Sequence, residues 1–342
     1  MPPTAAGYQG NSILMSSEQR VEIKLGDLCN NRCVFCVSGG RREAKAPWAP
    51  LGSVREELSF YRARGCRCVG FLGGEPTVYP WIEEAVRYAR DLGYGRIALC
   101  TNGARLASRS FCERLVSAGL TRVTVSLHSH RPEIEDGPIT GVPGNHSRKV
   151  AGIRNLLSWR ERGKIADGIS LNPVLNRRNL MEMSEYLSFA KGLGVTDVRF
   201  NYIWPEHRAR GSREWVPSLR EAAPRIVRAI LLNRRLFRLR LSFGGVPRCV
   251  LGWSGASPRL IRSLERHLDE RALDPDNDVS VPSGDAGRGE RFVWQERKKE
   301  SLKKRGPRCG ECRHATTCEG VWRTYADIYG LDELVPAAER AP

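Results

Sequence analysis

Between residues 19 and 204, short runs rich in β-branched residues alternate with longer stretches whose apolar positions recur every three or four residues. The first pattern suits strands covered by their neighbours, and the second suits helices with one apolar face. It predicts strands over 21–25, 68–72, 96–101, 122–127, 169–175 and 198–203, with helices over 54–64, 81–92, 107–118, 147–162 and 180–192. Strand and helix taking turns build a parallel sheet from βα units. Six such units make an α/β fold of the partial (β/α)6 TIM-like barrel type, spanning 19–216. Sites in such folds lie at the carboxyl ends of the strands. Outside the barrel, 1–18 reads as a flexible leader, 217–241 as a basic helical connector, 242–335 as a small C-terminal domain and 336–342 as a tail. Within the small domain, 274–290 is rich in Asp, Gly, Pro and Ser without periodicity and reads as a long loop.

Composition sharpens this picture in two places. No run of about 18 uncharged apolar residues occurs, so no membrane span is expected. The first 17 residues lack a basic region followed by an apolar one, so no signal peptide is expected either. Eleven cysteines without an export signal point to a reduced, cytoplasmic setting in which thiols serve metal. Cys66, Cys68, Cys100 and Cys112 sit in or beside apolar runs and read as small buried hydrophobes. The net charge of +17 admits nucleic acid, an acidic substrate or an acidic electron donor as partners, or solvated helix faces with no partner.

The remaining seven cysteines form two groups. Cys29, Cys33 and Cys36 follow the first strand closely enough to wrap one loop around a metal centre. A [4Fe–4S] cluster normally takes four thiolates, so three local ones leave one iron open; a zinc loop is the competing reading. Cys309, Cys312 and Cys318, with Cys249 presented by a Gly-Gly-Val-Pro turn, make a set of four that suits either a closed cluster or a zinc ribbon. His314 lies inside that loop and is expected to be exposed. At the strand ends stand Gly73-Gly74-Glu75-Pro76, Thr101-Asn102-Gly103, Ser126 with His128, Asn172-Pro173-Val174 and Asn201. Glycines let a ligand approach the backbone, and hydroxyls and amides donate and accept without bringing charge. Residues 140–144 read as part of a loop over the barrel mouth.

The cysteine loop, with Phe35 before its last cysteine, and the Gly-Gly-Glu-Pro turn one βα unit later resemble the radical S-adenosylmethionine (radical SAM, AdoMet) superfamily. The resemblance implies that the open iron chelates AdoMet and that the reduced cluster cleaves it to a 5′-deoxyadenosyl radical, which abstracts hydrogen. It implies AdoMet contacts at Gly73, Gly74, Glu75 and Pro76 for the methionine amino group. Thr101, Asn102 and Ser126 would meet the carboxylate and ribose, and Asn172 and Val174 the adenine. The second cysteine group resembles the twitch and SPASM extensions of that superfamily, which implies an auxiliary [4Fe–4S] cluster on Cys249, Cys309, Cys312 and Cys318. It departs from a full SPASM domain, since Trp322 stands where the next ligand would fall.

The expected function is therefore AdoMet-dependent hydrogen abstraction from a small-molecule substrate, of the kind that tailors a sugar or nucleoside in natural-product biosynthesis. A flavodoxin- or ferredoxin-type donor is the expected electron source, docking on the basic run that includes Lys298, Lys299, Lys303 and Lys304 or leaving that run as solvated surface. Peptide maturation, RNA modification and a zinc-ribbon nucleic-acid binder are the competing readings.

Overall fold

A computed structural model describes residues 19–38, 48–268, 277–282 and 289–337. The leader and the end of the tail lie outside the described residues. The alternating pattern becomes strands β1 (Arg20–Lys24), β2 (Cys68–Leu72), β3 (Arg96–Thr101), β4 (Arg122–Val125), β5 (Gly168–Leu171), β6 (Val174–Leu175) and β7 (Asp197–Tyr202). β1 to β5 and then β7 lie side by side in chain order, every pair parallel, as the partial barrel requires. On the outer face Ile23, Phe71, Leu99, Val123, Leu171 and Phe200 are at most 1% exposed beneath the helices. The alternate residues, among them Glu22, Cys100, Thr124, Arg199 and Asn201, keep access to solvent on the inner face. This polar face lines the lumen. Cys100 is thus not the buried hydrophobe expected of it, whereas Cys66, Cys68 and Cys112 are buried.

Three departures have local causes. The strand expected over 169–175 breaks, because Pro173 has no N–H for the ladder; the chain resumes as β6, paired to β7. The expected connector is an outer helix, Leu219–Leu232, with Leu219, Ala222, Ala223, Ile226 and Ile230 buried. Ser218 and Glu221 cap its start reciprocally. It leads into β8 (Arg240–Gly244), parallel to β7, so the boundary drawn at 242 falls inside a strand of the barrel sheet.

The expected loop over 274–290 contains β9 (Asn277–Val281), parallel to β1 at the other edge, and β10 (Glu290–Val293) pairs antiparallel to it. Polar residues, Asn277 and Ser280, occupy two of its three buried positions beside Val279, which erased the apolar pattern. Asn277 N–H donates to Gln295 Oε1 at 3.1 Å, and Ser280 Oγ to Glu57 Oε2 at 2.8 Å. A small hairpin of β11 (Lys303–Lys304) and β12 (Val321–Trp322) brackets the three C-terminal cysteines.

Candidate active site and cysteine centres

The front cysteine loop is sewn to the barrel through its backbone. Gly74 N–H donates to Gly26 O at 2.7 Å and Glu75 N–H to Leu28 O at 2.8 Å, so the Gly-Gly-Glu turn holds the strand that enters the loop. Both glycines are required by that approach. A Cβ on Gly74 would overlap the Leu28 carbonyl oxygen, and Gly73 sits at φ 141° against Gly26. From the other side Arg32 N–H donates to Thr140 O at 2.9 Å and Val34 N–H to Ile139 O at 3.2 Å. Ile139 and Thr140, at the start of the expected mouth loop, therefore clasp the cysteine loop.

Within the loop the three cysteines share one electrostatic neighbourhood. Burial pushes the Cys29 thiol up to about 11, opposed by the Asn31 N–H and reinforced by Glu75 and Cys36. Cys33 is pushed up to about 12 by burial, with Lys149 opposing and Cys29 and Cys36 adding to it. Thiols crowded in this way become thiolates when a metal centre supplies positive charge. That donor set fits an iron–sulfur cluster.

The strand-end residues divide into those that build the site and those that face it. Glu75, 1% exposed, has both carboxylate oxygens occupied. Oε1 accepts from Thr77 N–H (2.9 Å), Thr77 Oγ1 (2.6 Å) and Thr101 Oγ1 (2.5 Å), and Oε2 accepts from Asn102 N–H at 2.6 Å. Glu75 and Thr101 thereby lock β2 to β3, and Pro76 opens a buried turn behind them. Asn102 Nδ2 donates to Asn30 Oδ1 at 2.6 Å and approaches Cys29 Sγ at 3.9 Å. The half-buried Ser126 hydroxyl has no hydrogen bond among the described residues. Asn172 accepts from Asn201 Nδ2 at 2.8 Å. Both backbone groups of Val174 are engaged, its N–H on His128 Nδ1 at 3.1 Å and its carbonyl on Asn176 and Asn179.

His128 is a structural partner. Burial holds its imidazole down at about 4, and the neutral ring accepts from Val174 while meeting Phe35 edge-on at 4.9 Å. The cysteine loop, β4 and the break before β6 meet at this one side chain.

A fully buried ion pair behind Ser126 carries no motif. Lys149 Nζ donates to Glu135 Oε1 at 2.5 Å and to Ser126 O at 2.8 Å. Glu135 Oε2 accepts from His128 and Ser129 N–H at 2.9 and 2.8 Å. Burial raises the Glu135 carboxyl, but Lys149, His128 and these hydrogen bonds outweigh it and hold it below the usual range. A signal was present: Lys149 sits on the buried stripe of the helix Asn145–Glu161, with Ile153 one turn on.

The C-terminal cysteines come together as well. Cys249, Cys309, Cys312 and Cys318 line one pocket of about 390 Å³, part of it open to solvent. Burial pushes the Cys249 thiol up to about 12, with the other three adding to the rise. Among the described residues, no three His, Cys, Asp or Glu side chains form a group that would hold a single metal ion. His314 lines the pocket but is not exposed. Its ring faces Arg248 at 3.3 Å, Arg313 at 3.1 Å and Glu265 at 3.5 Å. Trp322 is stacked on Trp204, with ring centroids 4.4 Å apart. The basic run is not one surface: Lys298 and Lys303 are buried on Glu319 at 2.9 and 2.8 Å.

Residues 23–187 match the radical SAM superfamily. Among curated relatives it is 29% identical over 190 residues to the AdoMet-dependent heme synthase of Methanosarcina barkeri, covering 56% of this chain and 52% of that protein. It is 30% identical over 213 residues to a probable GTP 3′,8-cyclase of Metallosphaera sedula, covering 61% of this chain and 63% of the relative. It thus spans between half and two thirds of those relatives. Among solved structures, Streptococcus suis SuiB bound to S-adenosylmethionine superposes with TM-score 0.63 at 16% identity, covering 94% of this chain and 77% of SuiB. Native anSMEcpe with bound AdoMet gives 0.58 at 14%, covering 91% and 90%. These likenesses establish a shared fold. No helix among the described residues is long and apolar enough to cross a membrane.

Proposed function

We propose that this chain is an AdoMet-dependent radical enzyme acting on a small polar molecule. Cys29, Cys33 and Cys36 hold a [4Fe–4S] cluster with one open iron, and Cys249, Cys309, Cys312 and Cys318 hold an auxiliary one. The observation that carries the reading is the weld between the cysteine loop and the Gly-Gly-Glu turn, with Asn102 between Cys29 and β3. Bound together, cluster and AdoMet supply a 5′-deoxyadenosyl radical that abstracts hydrogen. The chain positions and shields. Among the described residues the Gly73 and Gly74 carbonyls accept no hydrogen bond, which leaves them for the AdoMet ammonium in place of the occupied Glu75 carboxylate. Ser126 is the hydroxyl left for the ribose, while Asn172 and the Val174 side chain border the adenine.

The 30% identical relative from Metallosphaera sedula is named for a nucleotide, GTP, and that likeness favours a sugar or nucleoside substrate. SuiB has been captured with its precursor peptide SuiA, but at 15% identity that supports peptide maturation only as the second reading. Reduction by a flavodoxin- or ferredoxin-type protein completes the proposal. In the test, anaerobically reconstituted protein binds about eight iron atoms and forms 5′-deoxyadenosine under dithionite. The variant with Cys29, Cys33 and Cys36 replaced by Ala keeps about four irons and forms none. Cys249→Ala loses the other four. Retained cleavage in the triple variant would sink the front assignment, and one zinc in place of four irons would make the rear site a ribbon.

A further inference from the structure

The inner face of the sheet carries a charge arrangement that neither cysteine centre uses. Cys100 on β3 lies within the electrostatic reach of Glu22 and Arg20 on β1, Arg122 on β4 and Arg199 on β7. Side chains from four strands therefore surround one space, the lumen. Arg20 faces Glu22 at 2.6 Å, and Lys24 faces Asp27 at 2.7 Å. Asp197 differs, because its single carboxylate takes two guanidiniums, Arg122 at 3.1 Å and Arg199 at 3.0 Å.

The two arginines are not equivalent. Arg122 is 8% exposed and fully committed, with Nη1 on the Asp167 carbonyl at 2.8 Å and Nη2 on Ser170 Oγ at 2.8 Å as well as on Asp197. It closes the lumen floor. Arg199 is 25% exposed and touches Asp197 through Nε and Nη2, so its Nη1 edge makes no hydrogen bond among the described residues. On the same face Ser126 and Asn172 stand level with Arg199, and Asn201, whose amide donates to Asn172, stands one step nearer the carboxyl ends of the strands. Uncharged donors and acceptors thus flank one guanidinium with charge to spare, on its level and on the side of the strands' carboxyl ends. A guanidinium edge held in an enclosed space is suited to phosphate or carboxylate, which it binds through charge-assisted hydrogen bonds.

We infer that the substrate carries an anionic group, a phosphate or a carboxylate, which enters the lumen and is held by Arg199 while Asn201 contacts the uncharged part of the molecule. The inference deepens the small-molecule reading and rests on it. It also separates substrates: a neutral sugar leaves Arg199 unanswered, whereas a sugar or nucleoside bearing phosphate or carboxylate answers it.

The test is equilibrium dialysis of the reconstituted protein against labelled pyrophosphate and, in a second arm, labelled citrate. Saturable binding of one of them is expected, and the tighter probe identifies the group. Arg199→Gln should weaken it at least about tenfold, the scale of a lost charge-assisted contact, while the exposed Arg162→Gln should leave it within twofold. A second measurement needs no variant. Phenylglyoxal modifies arginines, and the peptide containing Arg199 should be protected by the bound probe. No saturable binding of either probe, equal binding by Arg199→Gln, or equal labelling of Arg199 with and without probe would each overturn the inference. Displacement of the probe by saturating AdoMet would give the site to the cofactor and overturn it too. Dialysis requires no AdoMet cleavage, so a chain that fails to cleave AdoMet still returns an answer about the lumen.

Discussion

The two cysteine centres are held in different ways. The front loop has its backbone tied on both sides, to the Gly-Gly-Glu turn after β2 and to residues 139 and 140 before the helix Asn145–Glu161. Its Asn31 amide is tied to that helix, with Asn145 Nδ2 donating to Asn31 Oδ1 at 3.2 Å. The rear centre is organised by its own turns. Cys318 N–H donates to His314 O at 2.8 Å, Gly306 N–H to Cys309 Sγ at 3.2 Å and Gly320 N–H to Cys318 Sγ at 3.4 Å, while Cys249 arrives from a separate short helix. A site fixed by a barrel keeps its shape with or without metal. One built from short loops gains folding energy from the metal it binds. The front is thus suited to hold an open coordination position steady, and the rear to be closed by the cluster proposed for it.

The sharpest way to break this comparison is at Gly74. Adding one methyl group there forces the Cβ into the Leu28 carbonyl, a backbone group with no flexible side chain to yield. Gly74→Ala should therefore destabilise the barrel by about 3 to 5 kcal/mol and halve the iron content by loss of the front cluster alone. Iron analysis and urea denaturation check this together. A variant with full iron but weak AdoMet affinity would show instead that Gly74 serves only the ligand.

A smaller effect comes through acid. His128 ordinarily titrates near 6.5 and is held at about 4 by burial, so the unfolded chain binds a proton that the folded one refuses. Stability from this residue is complete above pH 6.5 and falls as pH drops toward 4, by up to about 3 kcal/mol over that window. Protonation also ends the acceptor role of Nδ1 toward Val174. His128→Gln should flatten the dependence between pH 6.5 and 4 in denaturant titrations. An unchanged slope would mean that other groups carry the acid sensitivity.

How much of this was legible in the sequence depended on what filled the buried positions. Where the buried stripe was apolar, as with Ile97 and Leu99 in β3, strands fell within a residue or two of their expected bounds. Where it was polar, the pattern failed. Asn277 and Ser280 hid β9, and Lys149 hid the ion pair behind Ser126. Spacing revealed six of the seven grouped cysteines because they lie close together along the chain, whereas Cys249 was read from the turn before it. It did not reveal that the Glu75 carboxylate faces inward, since only the tertiary meeting of Thr77, Thr101 and Asn102 decides that.

The smallest expected effect tests the basic run. Lys298 and Lys303 share Glu319 in the interior, at 4%, 3% and 8% exposure, so reversing their charge would leave three carboxylates buried together and unfold the region. A docking experiment must leave them alone. Lys299 and Lys304 are exposed, and replacing both with Glu should change stability by less than about 0.5 kcal/mol. Two of the run's four lysines are internal, which thins the patch that a donor could meet. Turnover of the double variant should then stay within about twofold of the parent with either dithionite or a flavodoxin system, the modest change expected when screened surface charges are altered. A loss confined to the flavodoxin assay would restore the run as the donor's landing site, and a loss in both would connect it to an acidic substrate or nucleic acid.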